Sequence, residues 1–139
     1  MDEPDQELIE FASRLFGMAR EGDARRLAEY LDAGVDANLA NHKGDTLVML
    51  AAYHGHADAV AMLLAHGADP NRVNDRGQTP LAGAVFKGED EVVGALVAGG
   101  ADPEAGTPSA VATARMFERA DLLELLRPAG GGPADAVAP

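Results

Sequence analysis

The chain contains no cysteine. That absence excludes disulfides, thiolate nucleophiles and any zinc site built on sulfur, and it is consistent with a reducing compartment. Aromatic side chains are scarce, 4% of residues against an apolar total of 47%. Ala, Leu and Val must then fill the interior, which suits short, closely packed helices better than a sandwich built on aromatic and β-branched residues. Long apolar runs are missing as well. Apolar stretches such as Leu47 to Tyr53 fall far short of the roughly 20 residues that cross a bilayer, so no membrane segment is expected. The start of the chain, Met1-Asp2-Glu3-Pro4-Asp5, is acidic where a secretory signal would be basic, and the expected location is the cytoplasm. Basic residues are the minority, 11 against 23 acids, for a formal charge of −12. Such a surface repels phosphate backbones and anionic headgroups, and nucleic acid and membrane are both unexpected partners.

At 139 residues the chain fits one domain with a single core or a short stack of repeats. A shift of 33 residues superposes the sequence on itself, the mark of a repeat architecture. It carries Gly34, Asp36 and Asn38 onto Gly67, Asp69 and Asn71, and Gly67-Ala68-Asp69-Pro70 onto Gly100-Ala101-Asp102-Pro103. It also aligns Gly22, Gly55 and Gly88, then Leu27, Val60 and Val93, and Gly44-Asp45-Thr46 with Gly77-Gln78-Thr79. A fourth unit follows if three residues are removed after Asp102, so that Ser109-Ala110-Val111 meets Thr79-Pro80-Leu81. The predicted units are about 5–38, 39–71, 72–104 and 105–127 within a domain over 1–127. The Pro/Gly/Ala tail, 128–139, has too little apolar bulk to pack and is expected to be disordered.

Each unit reads as a first helix, A, a second helix, B, and a loop. Thr46 and Thr79 stand where a hydroxyl accepts from free amides at a helix start, and Pro80 follows at the first helical position, where its missing N–H costs nothing. Gly55 and Gly88 supply the turn into a second helix, whose Val60, Leu63 and Leu64 recur at helical spacing. Gly67 and Gly100 fall where a left-handed cap is needed, before a hairpin-like loop. The first unit has Ser13-Arg14-Leu15 in place of Thr-Pro, with its helix expected to begin near Asp5, and the last has Glu118 at the inter-helix glycine position. Terminal repeats depart from the pattern because one face of each meets water.

Gln78-Thr79-Pro80-Leu81, Ala51-Ala52-Tyr53-His54-Gly55-His56 and Leu63-Leu64-Ala65-His66-Gly67-Ala68-Asp69-Pro70-Asn71 together resemble the ankyrin repeat. The resemblance covers about residues 11–127 and implies an all-α ankyrin-repeat solenoid of four helix-turn-helix units with irregular capping repeats at both ends. Met49 and Ala82 replace the family's helix-A histidine, which implies lower stability per repeat. The size and the Ala- and Gly-rich sequence look like small free-standing ankyrin proteins of bacteria.

Catalytic chemistry finds little purchase. His54 and His56 lie two apart across a turn, pointing apart and without a third ligand, and His66 belongs to a helix end, so neither metal nor cofactor is expected. Ser13 and Ser109, the only serines, fall at helix-cap positions of the repeat and lack a partnered base. Asp36, Asp69 and Asp102 share one position, which argues for a turn role over acid–base work. The only Gly-rich run is in the tail, so no phosphate loop is present. The chain is read as a non-enzyme.

The resemblance implies binding of another protein through a concave face made of loop tips and helix A, with the chain monomeric alone and acting as a cytoplasmic adaptor or regulator. Position by position, the tips are His42, Lys43 and Asp45, then Asp75, Arg76 and Gln78. The helix-A pairs before the turn are Arg20 with Glu21, Tyr53 with His54, Phe86 with Lys87, and Met116 with Phe117. Arg20, Tyr53, Phe86 and Met116 form one column, of a composition enriched at interaction hot spots. Packing between repeats is the competing reading of that column. Residues 1–38 carry ten acids and four bases, either for solubility or to steer a basic partner. The latter supports an alternative: an inhibitor or immunity-type protein that neutralises a basic enzyme or toxin.

Overall fold

The computed structural model describes residues 6–127. The tail at 128–139, expected above to be disordered, lies outside the described residues, as do residues 1–5. Eight helices follow one another: α1 (Gln6–Glu21), α2 (Ala24–Asp32), α3 (Leu47–Tyr53), α4 (Ala57–Ala65), α5 (Pro80–Lys87), α6 (Asp90–Ala98), α7 (Ala110–Met116) and α8 (Ala120–Leu125). The odd-numbered helices pack side by side in one layer, the even-numbered ones in a second, and each pair closes as an antiparallel hairpin. The chain is an all-α solenoid of helix-turn-helix pairs, as the period predicts.

Caps decide where the helices start. Thr46, Thr79 and Ser109 accept hydrogen bonds from the amides of Met49, Ala82 and Ala112, and Pro80 opens α5. The two threonines are almost fully buried, so each hydroxyl satisfies an amide that water cannot reach. Ser13 is different. It lies inside α1, which is one continuous helix of 16 residues, so its expected capping role is wrong. The first helix runs on through the position where the later units start theirs.

Helix ends repeat one device. Gly67 and Gly100 adopt φ values of +95° and +94°, and the amides flanking each fold back on the preceding turn, Ala68 to the Leu63 carbonyl and Ala101 to that of Leu96. These are Schellman closures, for which a left-handed residue is required. Glu118, without that freedom, still takes φ +56° at the turn where its counterparts are glycine.

Side chains of the two layers meet in one buried cluster, with Leu15, Leu27, Leu47, Val60, Leu63, Leu81, Val93 and Leu96 at most 1% exposed. Burying each such side chain contributes about 2 kcal/mol. The units are also stitched by polar bonds. Asn38 Oδ1 accepts from the Asp69 amide at 2.7 Å and Asn71 Oδ1 from the Asp102 amide at 2.6 Å, one unit onward each time. Asp36, Asp69 and Asp102 accept from the amides two residues ahead at 2.8, 2.9 and 2.9 Å, which is the turn role their recurrence predicts.

Candidate functional site: a groove along the loop tips and helix A

The loops before α3 and α5 are built alike. Asn41 Oδ1 accepts from the amides of Lys43 and Asp45 at 2.9 and 3.0 Å, and Asn74 Oδ1 accepts from Arg76 and Gln78 at the same distances. Gly44 and Gly77 turn the chain at φ +80° and +76°. The tips are joined, because the Asp75 amide donates to the Lys43 carbonyl and Asn74 Nδ2 reaches Asp45 Oδ1 at 2.8 Å. A row of tips fixed by backbone and amide bonds is a rigid wall. The third connection spans residues 99–109 where the earlier ones span 33–46 and 66–79. Its Thr107 amide bonds the Gly77 carbonyl, and Pro108 takes the place of a tip.

Between this wall and the odd-numbered helices runs a groove. One hollow of about 380 Å³ is lined by His42, Lys43, Asp45, Tyr53, Asp75, Arg76 and Gln78 with Met49, Leu50 and Asn74. A second, of about 300 Å³, adjoins it through Met49, Tyr53 and Gln78, and is otherwise walled by Thr79, Pro80, Ala82, Gly83, Phe86, Pro108, Thr113 and Met116. Small residues make the second hollow: Gly83 stands one repeat after Leu50, and Ala82 one repeat after Met49. No lysine, arginine or carboxylate lines it, so it is an apolar seat beside a charged one.

Nine of the fourteen residues named above on the tips and helix-A pairs line these two hollows. Of the other five, Lys87, His54 and Phe117 pack against lining residues, while Arg20 and Glu21 lie exposed on the first unit. Lys87 Nζ lies 4.3 Å from the centre of the Tyr53 ring, a cation–π geometry. His54 stands edge-on to Tyr53 at 5.6 Å and Phe117 edge-on to Phe86 at 5.7 Å. Arg20, on the first unit, is exposed, and its carbonyl accepts from His56 Nε2 at 2.7 Å. Tyr53, Phe86 and Met116 are 43%, 60% and 67% exposed, and no member of the column belongs to the buried cluster.

Two of the histidines, His56 and His66, bridge neighbouring units. The His56 ring lies over Gly22, where a Cβ would collide with it, and His66 bridges the Met62 carbonyl and Asp32 Oδ1, both at 2.9 Å. Those two acceptors, the carbonyl first, raise the His66 pKa above its usual value. His54 is shifted the other way, by burial and then by the nearby charges of Lys87, His56 and Arg20. Among the described residues no three His, Asp or Glu side chains gather as a ligand set, and no helix is long and apolar enough to cross a membrane.

A stack of helix pairs with a fixed row of tips and an exposed apolar groove defines the chain as a helical repeat scaffold. A family model for ankyrin repeats (three copies) matches residues 15–107, and the chain belongs to the ankyrin-repeat family. An ankyrin repeat protein of Pseudomonas aeruginosa is 55% identical over 56 residues, which cover 40% of this chain. The chain spans 33% of the length of that relative. Ankyrin repeats are in general protein–protein interaction modules.

Proposed function

We propose that this protein is a cytoplasmic adaptor or regulator, monomeric on its own, that holds a partner protein in the groove between its loop tips and helix A. The observation that carries the reading is the column Tyr53, Phe86 and Met116. Three large apolar side chains stand exposed along a groove in a chain with few aromatics to spare. Exposed aromatic and Met side chains against preformed hollows are the usual make-up of a binding hot spot. A net charge of −12 weighs against nucleic acid and anionic membrane as partners.

The test is a pull-down from the native cell with Tyr53→Ala/Phe86→Ala beside the wild type, read by quantitative mass spectrometry. Partners retained by the wild type are expected to be lost from the variant, with the circular dichroism spectrum and melting curve nearly unchanged. A large loss of stability would instead assign the column to packing between repeats.

A further inference from the structure

Charge is distributed unevenly over this molecule, and the groove stands apart from the rest. The loop tips and the helix-A pairs of the first three units hold four of the eleven Lys and Arg residues, Arg20, Lys43, Arg76 and Lys87, but only three of the 23 acids, Glu21, Asp45 and Asp75. Both lysines of the chain are among them. All four cations are exposed, and among the described residues no carboxylate lies within ion-pair distance of any of them, which also holds for Arg14, Arg25, Arg72 and Arg115 elsewhere on the surface, while Arg26, Arg119 and Arg127 are each paired. One of the three acids is already engaged, Asp45 by Asn74 Nδ2. The opposite layer is acidic, with Asp32, Asp58, Asp90, Glu91, Asp121 and Glu124 exposed on the even-numbered helices.

From this asymmetry we propose that the groove takes an acidic segment of a partner protein, with an apolar side chain in the hollow over Gly83 and carboxylates beside it. The inference rests on the groove reading above and adds the chemistry of the partner. The geometry supports the pairing at both ends of the apolar seat. Arg76 and Lys43 line the adjoining hollow together with Asp45 and Asp75, and Asp45 is turned to Asn74 Nδ2. Lys87 follows Phe86 in α5, its ammonium held over Tyr53, which itself lines the seat. Exposed cations flanking an apolar seat favour carboxylates locally through charge-assisted hydrogen bonds. The acids of the opposite layer lie behind the helices, and at physiological salt charges more than about 8 Å apart are largely screened.

The experiment is selection of a random peptide display library on the full chain, with counter-selection on Tyr53→Ala/Phe86→Ala. Recovered peptides are expected to be enriched in Asp and Glu near a large apolar residue. Lys43→Glu/Arg76→Glu/Lys87→Glu should bind them at least tenfold more weakly, and peptides remade with Lys for Glu should regain affinity for that variant. The neutral Lys43→Gln/Arg76→Gln/Lys87→Gln variant guards against misfolding, and is expected to melt like the wild type and bind at an intermediate level. Groove-dependent peptides that are basic or neutral overturn the proposal and leave the binding groove standing. Failure to recover any groove-dependent peptide overturns both. Concentration-dependent dimerisation abolished by Phe86→Ala would assign the groove to a second copy of the chain and also overturn it.

Discussion

Replacing Gly83 separates what this position does for stability from what it does for the groove. Gly83 lies inside α5, where glycine costs about 1 kcal/mol relative to alanine because it loses more backbone freedom on folding. A Cβ built there meets only Tyr53 Cδ1, at 3.8 Å, an ordinary contact. Gly83→Ala is therefore expected to stabilise the chain by about 1 kcal/mol and to raise Tm by about 4 °C at this size. Gly94, inside α6 on the opposite layer, has nothing within 4 Å of such a Cβ, and Gly94→Ala should give a similar gain. The two should part company in binding. Gly94→Ala leaves the groove untouched, while Gly83→Leu puts the side chain of the preceding unit's Leu50 into the hollow and should weaken a groove ligand by tenfold or more. Urea unfolding followed by circular dichroism reads the first effect, and titration of a labelled ligand reads the second. A Gly83→Ala variant that melts below the wild type, or a Gly83→Leu variant that folds and binds normally, would refute the reasoning.

Leu63 is fully buried between α4 and its neighbours, so Leu63→Ala should cost about 3 kcal/mol in urea unfolding; a loss under 1 kcal/mol would mean that the stack collapses around the gap. Glu118 holds a left-handed conformation that costs a non-glycine residue about 1 kcal/mol, so Glu118→Gly should raise Tm, and a fall would show that its side chain matters more than its backbone. Because the His66 pKa is raised in the folded chain, its contribution is fully present below the unfolded pKa of about 6.5 and fades as pH rises through the folded value. The Tm difference between wild type and His66→Gln should accordingly be larger at pH 5.5 than at pH 8.5, and a constant difference would remove His66 from the account.

Much of the architecture is legible because each repeat spends specific residue types at fixed offsets. The capping hydroxyls of Thr46, Thr79 and Ser109, the left-handed Gly67 and Gly100, and the Asp turns at 36, 69 and 102 each answer a local backbone need, and local needs show in local sequence. Ser13 misled because the repeat register was carried into α1, a helix at least twice as long as α3, α5 or α7 that is already under way at that position. Asn38 and Asn71 recur at the repeat period, yet their role lies in bonds to the following unit, which period alone does not reveal. The apolar hollow is written in the substitution of Leu50 by Gly83 one unit on. That difference breaks the repeat, so a search for similarity passes over it. The cation over Tyr53 depends on the distance between neighbouring units, a property of the stack and of neither unit alone.

The central claim is that the loop tips and helix A form the binding face. Its most direct test is an NMR titration of the isotope-labelled chain with an acidic peptide selected on it. Shifts are predicted at the amides of Tyr53, Gln78, Gly83, Phe86 and Met116, with α2, α4 and α6 unmoved. Perturbations confined to those even-numbered helices would contradict it.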